Sequence, residues 1–112
     1  MTISSIDAMI ERSLALALNA PEGWRDVVRT LASSWPEAAP TDLVIAIVEA
    51  GHAIESNFDE DSPSGPQPAR LYRLAALLSL DLHAMQSLGR PAKTATDLML
   101  YWTSDDRYFL DL

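Results

Sequence analysis

Cysteine is absent from the 112 residues. That excludes disulfides, thiolate zinc sites, iron–sulfur ligation and thiol catalysis, and it fits a reducing compartment. Only two histidines are present, so base-assisted nucleophilic catalysis has little to draw on. No G-x-S-x-G, Walker or H-E-x-x-H pattern occurs. No apolar run approaches the roughly 18 residues of a membrane span. The first residues, MTISSIDAMIERS, show no basic region ahead of an apolar core, so no secretory signal and a cytoplasmic address are expected. Bases are scarce, eight against sixteen acids, for a formal net charge of −8. Nucleic-acid backbones and anionic membranes repel such a chain, because binding to either is driven by cations. Neither is expected as a partner.

What is present is a chain with 48% hydrophobic residues. That is too apolar for disorder, and the length suits one domain with an ordinary core. Seven arginines to one lysine suggest a GC-rich bacterial genome, an association rather than physics. The charge is unevenly spread. Residues 41–68 carry six acids and no base, whereas residues 69–93 carry four bases and one acid. Such segments attract each other within a chain or across a dimer.

Helical periodicity runs through most of the sequence. Ser4 and Asp7 form a start signal for a helix over Ser5–Asn19. Ile3, Ile6, Ile10, Leu14 and Ala17 make its apolar stripe. Pro21 and Glu22 open a second helix, with Trp24, Val27, Val28, Leu31 and Trp35 on the core side. Glu22, Arg25, Asp26 and Arg29 pair on its charged face. Pro36 ends it. Thr41 is the expected cap of a third helix over 42–57, apolar almost all round in its first half and therefore expected to be central. Residues 58–68 read as a loop whose acidic triplet Asp59–Asp61 should face water or a base, given the helix dipole before it. A fourth helix over Ala69–Leu88 carries Leu71, Leu74, Leu78, Leu82 and Met85 as its main stripe, widened by Leu77, Leu80 and Leu88. Gly89 is its expected C-cap. From Thr94 onward the pattern fits either a helix with a short terminal turn, which is favoured, or a hairpin of LMLYW and RYFL.

Few residues point to chemistry. Glu49 and His52 form one E-x-x-H on a helix, the spacing of carboxylate metal bundles. Such sites need two of these motifs, which only a homodimer would supply here, so no metal or cofactor is expected and this pair is a weak metal candidate. The bland alternative is a solvated glutamate beside a histidine. Asp81 falls inside the apolar stripe of the fourth helix, where a carboxylate must be paired, capped or protonated. An arginine or a helix N-terminus is the expected partner, and a poised acid in a pocket is the functional alternative. The run from Asp59 fails the EF-hand pattern, with Ser64 and Arg70 at positions six and twelve. Arg70 and Arg73 oppose the dipole at the head of the fourth helix, so the acidic triplet should lie near them. A phosphate site there lacks a glycine-rich cradle. The third helix has no base to read DNA. Tyr101, Trp102, Tyr108 and Phe109 crowd the C-terminal end, as a lid on the core or as an interface.

These observations predict an all-α, single-domain compact bundle of four or five helices over residues 1–112. The leading functional reading is a non-catalytic interaction or regulatory module, pairing with itself as a homodimer or with another protein, with Arg70, Arg73 and the four C-terminal aromatics at the interface. The alternative is a ligand- or metal-binding helical protein, or a carboxylate-based enzyme, built on Glu49, His52 and Asp81. An acidic decoy for a basic partner is a third.

Overall fold

The computed structural model describes residues 4–112. The expected position of Ile3 on the first stripe lies outside them. The fold is all-α. Among the described residues there is no strand, and the helices are α1 (Ser5–Asn19), α2 (Val27–Ser34), α3 (Pro40–Asn57), α4 (Gln67–Ser87), α5 (Ala95–Ser104) and a single turn α6 (Tyr108–Asp111), with a 3-10 turn over Gly23–Asp26 ahead of α2. The count exceeds the expected four or five by α6. Ala95–Ser104 and Tyr108–Asp111 are helical and only a turn over 105–107 separates them, so the hairpin alternative is overturned. The Thr94 hydroxyl accepts from the Asp97 N–H at 3.4 Å, while the Asp97 carboxylate accepts from the amides of Lys93 and Thr94 at 2.9 and 3.1 Å. This capping box satisfies N–H groups that a helix start leaves open. Asp97→Ala should cost about 1 kcal/mol, read as a lower urea midpoint at unchanged slope.

Three long helices form the frame. α3 packs against α1 on one flank and α4 on the other, and α2, α5 and α6 cover the frame from one side. The result is a slab 43 × 35 × 19 Å across, about two helix diameters thick. Leu43, Ala46, Ile47, Ala50, Gly51 and Ile54 bury the inner face of α3. Two layers cannot enclose a helix, so α3 is not wrapped all round as its composition suggested. Ile45 and Val48 stay 45% and 39% exposed. Gly51 lets α4 come close, since a Cβ there would lie 2.7 Å from the Tyr72 ring. Gly51→Leu should therefore destabilise by about 2 kcal/mol, with Tyr72→Ala in the same chain recovering part of it in a thermal melt.

Several local expectations shift by a turn or less. α1 buries Met9, Ser13 and Ala17, with Ile6, Ile10 and Leu14 only half-buried. The small Ser13 and Ala17 permit close helix contact, and the Ser13 hydroxyl is satisfied by the Met9 carbonyl at 2.8 Å. The second helix starts later than expected, after the 3-10 turn, and Trp24 and Trp35 sit half-buried at the core edge. The paired face is as expected, with Arg25 on Glu22 at 2.6 Å and Arg29 on Asp26. Thr41 does not cap α3. Pro40 opens the helix and Ala39 is its cap, because proline already has the helical φ and no N–H to satisfy. α4 starts at Gln67, two residues inside the expected loop, with Gln67 and Pro68 buried. Leu80 and Leu88 do not widen its buried stripe and are exposed. Gly89 closes α4 as expected. Its φ is +70°, and the amides of Gly89 and Arg90 donate to Gln86 and Met85 at 3.0 and 2.8 Å. That is the Schellman arrangement.

Candidate functional site

The residues singled out for chemistry do not meet. Glu49 and His52 project from the exposed side of α3. Asp81 is buried on α4 at 8% exposure. The Gly51–Tyr72 contact sets the register of the α3–α4 hairpin, which puts Asp81 about 10 Å along the axis from Glu49. None of the three lines the hollows beside Phe58, Trp35 or Pro63. Among the described residues no group of three His, Asp or Glu side chains is placed to hold a metal ion. The E-x-x-H pair is thus a carboxylate and an imidazole side by side in water.

Asp81 has a partner that spacing alone did not indicate. Its Oδ2 accepts the indole N–H of Trp102 at 2.9 Å. Burial pushes the carboxyl above its ordinary range, the indole bond opposes that, and the nearby Asp106 adds to the rise. The expected partners, an arginine or a helix N-terminus, are not there. Arg90 instead bonds Asp105 at 2.7 Å, and Ser104 and Arg90 together hold the Asp105 carboxyl below its ordinary range. The Trp102 ring rests against Phe109 with centroids 5.2 Å apart.

Of the aromatics offered as interface residues, Trp102 and Phe109 lie inside the core, and Tyr101 is nearly covered. Tyr108 alone is exposed. The C-terminal segment is a lid, tied down further by Arg29 donating to the Leu110 carbonyl at 3.0 Å. Arg70 does not reach the acidic triplet. It donates to the Pro21 carbonyl at 3.0 Å and lies over the Trp24 ring, while Asp59, Glu60 and Asp61 point into water. Arg73 is exposed and takes no part in an ion pair among the described residues.

The surface that remains open is the outer face of the α3–α4 hairpin. Ile45 and Val48 stand one turn apart on α3. On the antiparallel α4, Leu80 at 63% exposure is level with Ile45 to within about 3 Å. Ala76, His83 and Arg73 continue that side of α4, and Glu49, His52 and Glu55 that side of α3. The acids of this face are on α3 and the arginine is on α4. Sequence reasoning missed Ile45, Val48 and Leu80 by treating the third helix as central and Leu80 as part of the buried stripe of the fourth. The available signal was geometric: α3 and α4 are apolar over more of their circumference than a chain of 112 residues has helices to cover.

No family model matches the chain, and neither a curated protein nor a solved structure does.

Proposed function

We propose that the protein is a non-catalytic interaction module that pairs with a second copy of itself through the outer face of the α3–α4 hairpin. The observation that carries this reading is the exposure of Ile45, Val48 and Leu80 together on that face. Single exposed aliphatics need no explanation, but an apolar group rimmed by polar residues marks an interaction surface. Charge adds direction. α3 carries Asp42, Glu49 and Glu55 and no base, while the one acid within α4, Asp81, is buried and its Arg73 is exposed. A two-fold axis that sets α3 against the partner's α4 brings unlike charges together twice. The setting proposed is the cytoplasm of a bacterium, supported by the cysteine-free chain and its excess of arginine over lysine.

Sedimentation equilibrium on the untagged protein tests the reading. Wild type should dimerise, and Arg73→Glu and Leu80→Glu should each raise the dimer dissociation constant about tenfold or more. Leu100→Glu, at an exposed leucine on α5, should leave it unchanged. A wild type that stays monomeric at millimolar concentration sinks the proposal, as does equal dissociation of all three variants. Arg70 is unsuited to the same reversal because it braces Pro21 and Trp24 within the chain.

A further inference from the structure

A hollow of about 320 Å³ lies where α3 ends and α4 begins. Buried Ile54 and Pro68 form its floor, exposed Phe58 and Pro66 its walls, and exposed Glu55 and Glu60 its rim. Its size matches small-ligand clefts. The segment that shapes it is braced rather than loose. The amides of Ser62 and Gly65 donate to Asp59 and Ser62 at 3.0 and 2.9 Å, and a Cβ on Gly65 would lie 1.9 Å from the Glu60 carbonyl oxygen. The Tyr72 hydroxyl donates to Glu55 at 3.3 Å and holds that carboxylate beside the opening.

The electrostatics favour a cation. Glu55 and Glu60 are joined by Asp59 and Asp61 on the outer flank. The last turn of α3 holds no base, so the negative end of its dipole is uncompensated there. The head of α4 does little to reverse this. Pro66 and Pro68 have no N–H, and the amides of Gln67 and Arg70 donate to Ser64 and Pro66 at 3.1 and 3.5 Å. The Arg70 guanidinium is turned away onto Pro21 and Trp24. An anion therefore finds little at this helix start, and the phosphate reading has no support. The floor, by contrast, is apolar and suits an aliphatic stem, and the exposed Phe58 ring offers a face to a planar cation.

We infer that this hollow binds the arginine side chain of a basic segment on a partner protein, the stem on Ile54 and Pro68 and the guanidinium between Glu55 and Glu60. The acids flanking the hollow extend past it, which gives neighbouring bases of such a segment counter-charges that a free small cation would not use. The inference does not depend on the homodimer, whose apolar contacts are Ile45, Val48 and Leu80, which shares only Glu55 with the hollow, and whose test reads subunit mass.

The test is an amide-shift titration of the full chain with three probes: a basic pentapeptide with a central arginine, the same peptide with citrulline there, and agmatine. The arginine peptide should bind with shifts concentrated over residues 54–69. Citrulline should weaken it about tenfold, as should Glu55→Gln with Glu60→Gln, which removes charge from two exposed positions and keeps the acceptor for Tyr72. Phe58→Ala should weaken it several-fold. Equal binding of the citrulline peptide overturns the inference, as do shifts spread over the whole acidic surface. Agmatine binding as tightly as the peptide overturns the choice of a protein partner, and inorganic phosphate moving residues 66–70 overturns the choice of a cation.

Discussion

Trp102→Phe should lower stability by about 3 kcal/mol at neutral pH and by clearly less at pH 4. Two losses combine at neutral pH. A buried ring shrinks, and the ionised Asp81 carboxylate loses the indole N–H, 2.9 Å away, that compensates its burial. As pH falls through its raised pKa the carboxyl takes up a proton and needs the donor less, so the packing loss comes to dominate. The sign follows from linkage. Burial raises the folded pKa of Asp81 above its ordinary value, so between the two values the native state holds the extra proton. The stability this contributes is complete below the unfolded pKa and lost as pH rises through the folded one. Asp81→Asn keeps an acceptor for the indole and removes the buried charge. It should match or exceed wild type at neutral pH, and the difference should shrink towards pH 4. Urea titrations of the three proteins at both pH values decide it. An Asp81→Asn variant as damaged at neutral pH as Trp102→Phe would show that the charge itself holds the lid.

Gly23→Ala should cost about 3 kcal/mol, through backbone rather than side chain. An added Cβ would lie 1.8 Å from the Leu16 carbonyl oxygen and 2.9 Å from its carbon. Neither atom can rotate away, so the 3-10 turn must pull back from the end of α1. Val27, Val28 and Leu31, which follow that turn into the core, would be carried with it. Gly89→Ala is the control. Gly89 needs φ +70° but has nothing within 4 Å of the new methyl, so only local backbone strain of about 1 kcal/mol is expected. A Gly23→Ala melt no lower than that of Gly89→Ala would show that the α1–turn junction yields easily.

The candidate sites show where sequence reasoning stops. The unusual position of Asp81 inside an apolar stripe was legible, because helical spacing is a local property. Its partner was not, because Trp102 lies 21 residues away and no local rule pairs a carboxylate with an indole. Arg70 was assigned to the nearest acids in the chain, yet it folds back to Pro21, 49 residues away. Proximity in sequence misled there because the angular position of a residue on its helix, and not the loop before it, decides which neighbour its side chain meets. The open face and the hollow were invisible for a related reason. Ile45, Val48 and Leu80 look like core in any composition count, and only the number of layers says that nothing covers them.

By itself, then, the chain determined what depends on neighbours a few residues apart. The all-α class, the span of α1, the Ser4 and Thr94 caps and the Gly89 stop all follow from propensity, capping and proline or glycine geometry. The tertiary structure decided which face of each helix meets another, which apolar residues stay in water and which polar groups find each other. Those outcomes depend on how helices distant in sequence cross and on a slab only two layers thick, and no single stretch of sequence encodes either.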